Sequence, residues 1–339
     1  MTYLCRNIAL AVGGVVCAAA AFVRMSRRMN FEGKTVAIMG GSRGLGLELA
    51  RIYGNEGARL ALVARDEEEL KRARFLLGTD KDVFTFVCDV SSPIETKETI
   101  QLIEETCGPI DVLVNNAGQI QSGPMDTQDF ADYKQLMKLH FWAPLYAIDA
   151  VLPSMRERKA GRIVNISSIG GLISVPHLLP YCSSKHALVG LSRGLRNELS
   201  KFGILTTTVC PTLMRTGSHV NAEFKGNTNA EYTLFSLLDT LPFTSIDSQT
   251  AAKQIVEACR FGDANLIISI PAKIANVLEA IAPNVVNDFM AFVDRLLPRS
   301  ENGDKTAIKG KDINTRLSPS ILTRLGDLAS LRNNELPAY

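Results

Sequence analysis

A chain of 339 residues, 46% hydrophobic and 21% charged, holds enough apolar material for a sizeable core, which excludes global disorder. Its formal net charge of +2 leaves no electrostatic footprint for nucleic acid. Seven cysteines without a Cys-x-x-Cys pair, and four histidines without metal-ligand spacing, point to reduced thiols and to no metal.

Residues 7–23 carry no charge and are almost wholly apolar, with Arg6 before them and Arg24, Arg27 and Arg28 after. As a helix this run reaches about 26 Å, slightly short of a hydrocarbon core of about 30 Å. Tyr3, Leu4 and arginines snorkelling at both ends make a single membrane span feasible. The heavier positive charge on the C-terminal side then places the main body in the cytosol. A cleaved signal peptide, with Ala18 to Ala21 as the cleavage region, and an apolar helix packed on the protein are the competing readings.

From Lys34 the pattern becomes regular. Strand-like runs over 35–39, 58–64, 83–88, 110–114, 162–166 and 205–210 alternate with helical periodicity over 46–55, 67–77, 93–106, 129–158 and 181–201. Pro144 sits near the middle of the fourth helical stretch. This alternation predicts a parallel, doubly wound α/β sheet.

Gly40, Gly44 and Gly46 stand between the first strand and the first helix. Gly40 permits a tight turn, Gly44 lets backbone approach a pyrophosphate, and Gly46 lets helix and strand pack closely, with the helix N-terminus facing the phosphates. A dinucleotide fold that reads NAD places an acid at the end of the second strand. Here that end is Val63-Ala64-Arg65, and Arg43 lies inside the glycine loop. Two arginines suit a 2′-phosphate, so the cofactor expected is NADP(H). The alternative for Arg65 is a surface pairing with the acids at 66–69.

Tyr181 and Lys185 are four apart at the start of the helix carrying Leu188, Leu191, Leu195 and Leu199, so they share a face. An ammonium about 4 Å from the phenol would favour the phenolate by up to roughly 4 kcal/mol, about 3 pKa units, toward the range where a general acid or base works. Ser168 lies thirteen residues upstream of Tyr181. Ser167 competes with it for the same role.

With these residues placed, residues 31–270 resemble a short-chain dehydrogenase/reductase of the Tyr-Lys type. The resemblance implies a single-domain Rossmann-type doubly wound sheet as the catalytic domain (30–270). The residue pattern adds an N-terminal hydrophobic anchor (1–29), apolar C-terminal helices (271–298) and a weakly ordered tail (299–339) with a short helix near 320–332. The resemblance implies Ser168, Tyr181 and Lys185 as catalytic residues. Cofactor contacts are implied at Gly40, Ser42, Arg43, Gly44, Leu45, Gly46 and Arg65. Further contacts are implied at Asp89, Val90, Asn116, Ala117 and Gly118, at Tyr181 and Lys185 themselves, and at Pro211, Met214 and Thr216. Two positions depart from the family pattern. His140 stands where an asparagine holds a relay water, and is carried as a catalytic candidate because a neutral imidazole donates and accepts. Thr212 replaces the glycine after the proline.

In the implied chemistry a hydride passes between nicotinamide and a carbonyl carbon, Ser168 holds the oxygen, Tyr181 exchanges its proton, and Lys185 tunes Tyr181 and binds the ribose. The segment 213–245, read as a loop, carries Phe224, Tyr232, Phe235 and Leu238. It is either a lid over an apolar, lipid- or steroid-like ketone or a helix packed on its own core. The apolar stretch 273–297 is interrupted by Pro283. The leucine stripe after Lys185 permits a homodimer. A non-catalytic NADP(H)-binding scaffold or redox sensor is the other class of function; the intact Ser168, Tyr181 and Lys185 argue against it.

Overall fold

The computed structural model describes residues 18–78, 82–300, 303–313, 315 and 323–336. Seven parallel strands form one sheet: β1 (Thr35–Met39), β2 (Arg59–Ala64), β3 (Val83–Val87), β4 (Ile110–Asn115), β6 (Gly161–Ile166), β7 (Ile204–Cys210) and β11 (Asn265–Ile267). Their order across the sheet is β11-β7-β6-β4-β1-β2-β3. The order reverses beside β1, which opens a crevice at the carboxyl ends of β1 and β4, where such sheets bind ligands.

The period of two in each strand sorts its side chains onto two cores. Val36 and Ile38, Leu60 and Leu62, and Val112 and Val114 face one apolar cluster; Ala37 and Met39, Ala61 and Val63, and Leu113 face the other. The first is covered by helices α2 (Gly44–Asn55), α3 (Glu67–Leu77) and α9 (Ser248–Phe261), the second by α4 (Pro93–Cys107) and α6 (Ala143–Arg158). Each fully buried aliphatic side chain contributes about 1.5–3 kcal/mol over exposure.

Helix starts follow side-chain caps. Asp66 accepts from Glu69 N at α3, Ser92 from Glu95 N at α4, and Asp247 from Thr250 N at α9. Asp129 and Asp132 close a capping box at α5 (Phe130–Met137). α2 has no side-chain cap. The stretch expected as one helix over 129–158 is α5, a π-turn over Lys138–Trp142, and α6. The π-turn absorbs the irregularity, and Pro144 falls in the first turn of α6, where no backbone donor is required.

Residues 213–245 are not a loop. β8 (Leu213–Arg215) pairs with β10 (Ser245–Asp247), and β9 (Glu223–Phe224) lies between β5 (Gln121–Ser122) and β12 (Ile308–Lys309). α8 (Thr228–Thr240) is capped by Asn227 and buries Tyr232 and Phe235 against Phe224, so it packs on a small core of its own. The helix of α7 (Leu179–Leu199) follows β6 and carries the Tyr-Lys pair. α10 (Ile270–Ile281) and α11 (Pro283–Asp294) leave Ile274, Ile281, Val285 and Phe289 exposed. The tail, expected to be weakly ordered with a short helix near 320–332, supplies β12 and α12 (Arg324–Arg332), and α12 docks on the domain through Arg332, which bonds Glu48 and Ser248.

The membrane-spanning expectation is corrected. Residues 18–26 form α1, and among the described residues no helix is long and apolar enough to cross a membrane. Arg24, expected to flank a bilayer, instead makes two bonds to Asp263 at 2.8 and 2.9 Å and lies over the Phe261 ring. Residues 1–17 lie outside the described residues. The cytosol-facing placement, which followed from that span, is withdrawn with it.

Candidate active site

β1 ends in the glycine loop. Gly40 has φ +83°, and a Cβ there would come within 2.7 Å of Ala117 Cα. A Cβ at Gly46 would overlap the Gly40 carbonyl oxygen, so α2 presses directly on the turn. Asn116 Nδ2 donates to that carbonyl at 2.7 Å, while the Asn116 and Ala117 amides both donate to Met39 O. Asn116 and Ala117 thus brace the loop, and Leu45 is buried beneath it. The first turn of α2 has no side-chain cap, and its N–H groups are of the kind that hold phosphate.

The charged residues of the loop are already engaged. Arg43 lies 3.6 Å from Glu69 and 3.6 Å from Glu335, and Ser42 Oγ donates to Glu69 at 3.0 Å. Arg65 is exposed past the end of β2. Beyond β3, burial works against the Asp89 charge, but hydrogen bonds from the Ser91 amide and hydroxyl outweigh it and, with Arg65 nearby, hold the carboxyl below its usual range. Val90 beside it is buried.

Ser168, Tyr181 and Lys185 come together at the carboxyl end of β6. Ser168 caps the short turn Ile169–Gly171, its Oγ accepting from Gly170 N at 3.0 Å, and a Cβ at Gly170 would stand 3.2 Å from the Tyr181 ring and 3.5 Å from Ser168 Oγ, so the two side chains converge there. Pro180 sits in the first turn of α7, so Tyr181 is presented at the helix start. Lys185 Nζ donates to Ile166 O at 3.0 Å and lies 5.7 Å from the Tyr181 ring centroid. Ser167 is separated from this group: its Oγ donates to the Lys185 carbonyl and pins α7 to β6.

The electrostatics differ from the expectation. Tyr181 was expected to be lowered by the lysine. Instead the enclosure of its hydroxyl pushes it up to about 12, against a smaller pull from Ser168. Burial lowers Lys185 to about 8. The ammonium lies over the ring, 5.7 Å from its centroid, and desolvation dominates the shift of both groups.

His140 is fully buried and held neutral, chiefly by burial and secondarily by Lys185, well below the usual imidazole range. Its Nε2 accepts from Gln119 N at 3.1 Å, which assigns the proton to Nδ1 and makes it the donor to Ser184 Oγ at 2.8 Å. Ser184 in turn donates to the Tyr181 carbonyl. Both ring nitrogens are therefore taken by protein groups, and a relay through the ring requires one of these bonds to open. Ser184, three residues after Tyr181 on α7, is the link that the sequence does not disclose. Gly118 makes room for this packing, since a Cβ there would stand 3.3 Å from His140 and 3.6 Å from Lys185 Nζ.

The opposite wall follows β7. Pro211 O accepts from Ile169 N, tying it to the serine turn. Thr212 and Met214 are half-buried, and Thr216 is buried. Thr216 Oγ1 accepts from Ser218 N and its carbonyl from Asn333 Nδ2.

Residues 34–225 match the family model described as short chain dehydrogenase. The chain belongs to that family. Dehydrogenase/reductase SDR family member 7B of Danio rerio is 31% identical over 242 residues, 69% of this chain and 77% of the relative. 2-(S)-hydroxypropyl-CoM dehydrogenase 3 of Xanthobacter autotrophicus is 35% identical over 195 residues, 57% of this chain and 76% of the relative. The solved structure of a short-chain dehydrogenase from Streptomyces avermitilis superposes with a TM-score of 0.67 at 27% identity, over 77% of this chain and 97% of that one. This short-chain dehydrogenase is an oxidoreductase of alcohol or ketone groups that uses a nicotinamide cofactor. The close turn at Gly40 and Gly46 and an α2 without a side-chain cap fit the diphosphate of such a cofactor.

Proposed function

We propose that this short-chain dehydrogenase is an NADP(H)-dependent reductase of apolar ketones, with its catalytic unit in residues 30–270. The observation that carries the reading is the convergence of Ser168 and Tyr181 on Gly170, with Lys185 one helical turn on, at the carboxyl edge of the sheet that also carries the glycine loop. The cofactor supplies the hydride. Ser168 Oγ holds the substrate oxygen, and Tyr181 donates a proton to it. A tyrosine raised to about 12 keeps its proton at neutral pH, which suits it to reduction. Lys185, charged below about 8, offsets the negative charge left on Tyr181 and holds the ribose.

Arg43 and Arg65 support the 2′-phosphate, since Ala64 stands where an NAD-reading acid would be. Asp89 and Val90 take the adenine, Asn116, Ala117 and Gly118 the adenosine ribose, and Pro211, Met214 and Thr216 the nicotinamide side. The Xanthobacter relative is by name a dehydrogenase of a hydroxypropyl compound, which agrees with secondary-alcohol and ketone chemistry. Half-buried Ile120 and Leu213, brought to one cluster by the segments after β4 and β7, support an apolar substrate.

The test is oxidation of NADPH and NADH against ketones from small to long-chain, with Tyr181→Phe as control. Turnover lost in that variant, with NADPH preferred and apolar ketones ahead, supports the reading. Equal use of NADH removes the NADP assignment, and turnover retained by the variant removes the role of Tyr181.

A further inference from the structure

The last described residues of the chain sit on the glycine loop. Gly44 N, the first donor of α2, donates to Asn333 O at 2.9 Å. Asn334 Nδ2 donates to Ser42 O at 2.9 Å and Glu69 O at 3.0 Å, and its Oδ1 accepts from Arg72 at 2.9 Å. The Glu335 side chain is only 5% exposed; one oxygen lies 3.6 Å from Arg43 and accepts from Asn221 Nδ2 at 2.7 Å. Its other oxygen lies 2.7 Å from where a Gly44 Cβ would stand. A carboxylate beside the first turn of α2, paired with the loop arginine, together with the Asn333 carbonyl on the first N–H, takes the place of a phosphate. Two anions do not share such a site, because like charges at contact distance raise each other's cost.

We infer that residues 333–335 form an intrasteric strap that competes with the dinucleotide for the N-terminus of α2 and for Arg43. This rests on the family's use of a nicotinamide dinucleotide at this loop, and its bias toward NADP(H) rests on the reading proposed above. The strap has a separate base. α12 is fixed through Arg332 to Glu48 and Asp247 and through Ser330 to Gly217 O, and a Cβ at Gly217 would overlap Ser330. Arg51 reaches the Arg332 carbonyl at 2.7 Å. The helix stays docked while the three residues after it swing off the loop. Asn333, bonded to the Thr216 carbonyl, carries that movement to the wall after β7.

The experiment titrates NADPH and NADH by fluorescence into the full chain and into Glu335→Gln and Glu335→Ala, and follows amide hydrogen exchange with and without cofactor. Removing the charge is expected to tighten both cofactors about fivefold or more, NADPH more than NADH because Arg43 is released. Cofactor is expected to slow exchange at 42–45 and to speed it at 333–335. Tightening with NADH favoured leaves the strap standing and removes the NADP reading. Affinity unchanged or weakened in both variants, or exchange slowed at 333–335 by cofactor, overturns the strap; the slowed exchange would make the segment a clamp that holds cofactor in place.

Discussion

The two ends of the active site are built in opposite ways. At the catalytic end Tyr181, Lys185 and His140 are enclosed, and burial moves all three toward their neutral forms. At the cofactor end Arg43 and Ser42 keep their polar groups engaged with acids and with a strand of backbone from the far end of the chain. The catalytic end is thus preorganised by packing within β6, α7 and the π-turn, while the cofactor end is provisioned with a removable ligand of its own. The difference is one of chemistry. A proton donor gains from a fixed low-dielectric surrounding, whereas an anion site needs a neutralising occupant when no cofactor is there.

The largest effect expected is at the catalytic end. Tyr181→Phe removes the proton donor and should lower ketone reduction by about 10²–10⁴-fold while leaving NADPH affinity within about twofold, measured by steady-state kinetics and fluorescence titration. Gly46→Ala breaks the other end. Its Cβ meets the Gly40 carbonyl and Asn116, so cofactor binding should be lost and stability should fall by about 1–3 kcal/mol in denaturant unfolding.

A smaller effect is expected where the tail joins the domain. Buried His219 lies 3.4 Å from Asp239 and 3.9 Å from Asp327 of α12. Burial opposes its charge, but the two carboxylates outweigh burial and raise it to about 9. Burial raises Asp239 as well; with a second carboxylate beside the imidazole, the protonated histidine is the form that the geometry favours. A histidine raised from 6.5 to about 9 contributes stability that is fully present below pH 6.5 and is lost as pH rises through 9. His219→Gln should therefore flatten the dependence of the melting temperature on pH between 6.5 and 9. The smallest effect is expected at Ile281→Ser on the exposed face of α10, within about 0.5 kcal/mol in stability and without change in cofactor affinity.

What was legible in the sequence follows the same division. The sheet could be read because alternation at Val36 to Met39 or Leu60 to Val63 must serve two cores at once. Tyr181 and Lys185 could be paired because four residues make one helical turn. Ser184 at His140 could not, because the partner lies 44 positions away on a helix that only tertiary packing brings near. The strap was hidden for a stronger reason. Asn333-Asn334-Glu335 reads as a polar tail, and its contact with Ser42 spans 292 positions. The sequence predicts a depressed Tyr181 and not the raised one the structure holds, because helical spacing gives the proximity of the lysine but not the desolvation that opposes it. The span expected over 7–23 follows from an apolar run and its flanking arginines, and the bonds of Arg24 to Asp263 are contacts that such a pattern does not hold.

The most direct test of the account is the pH dependence of kcat/KM for ketone reduction between pH 6 and 10. With Tyr181 protonated throughout and Lys185 losing its charge near 8, the rate should be level at low pH and fall above about pH 8. A rate that rises through that range would mean that a deprotonated group is the active form, and would contradict the assignment of Tyr181 as proton donor beside a charged Lys185.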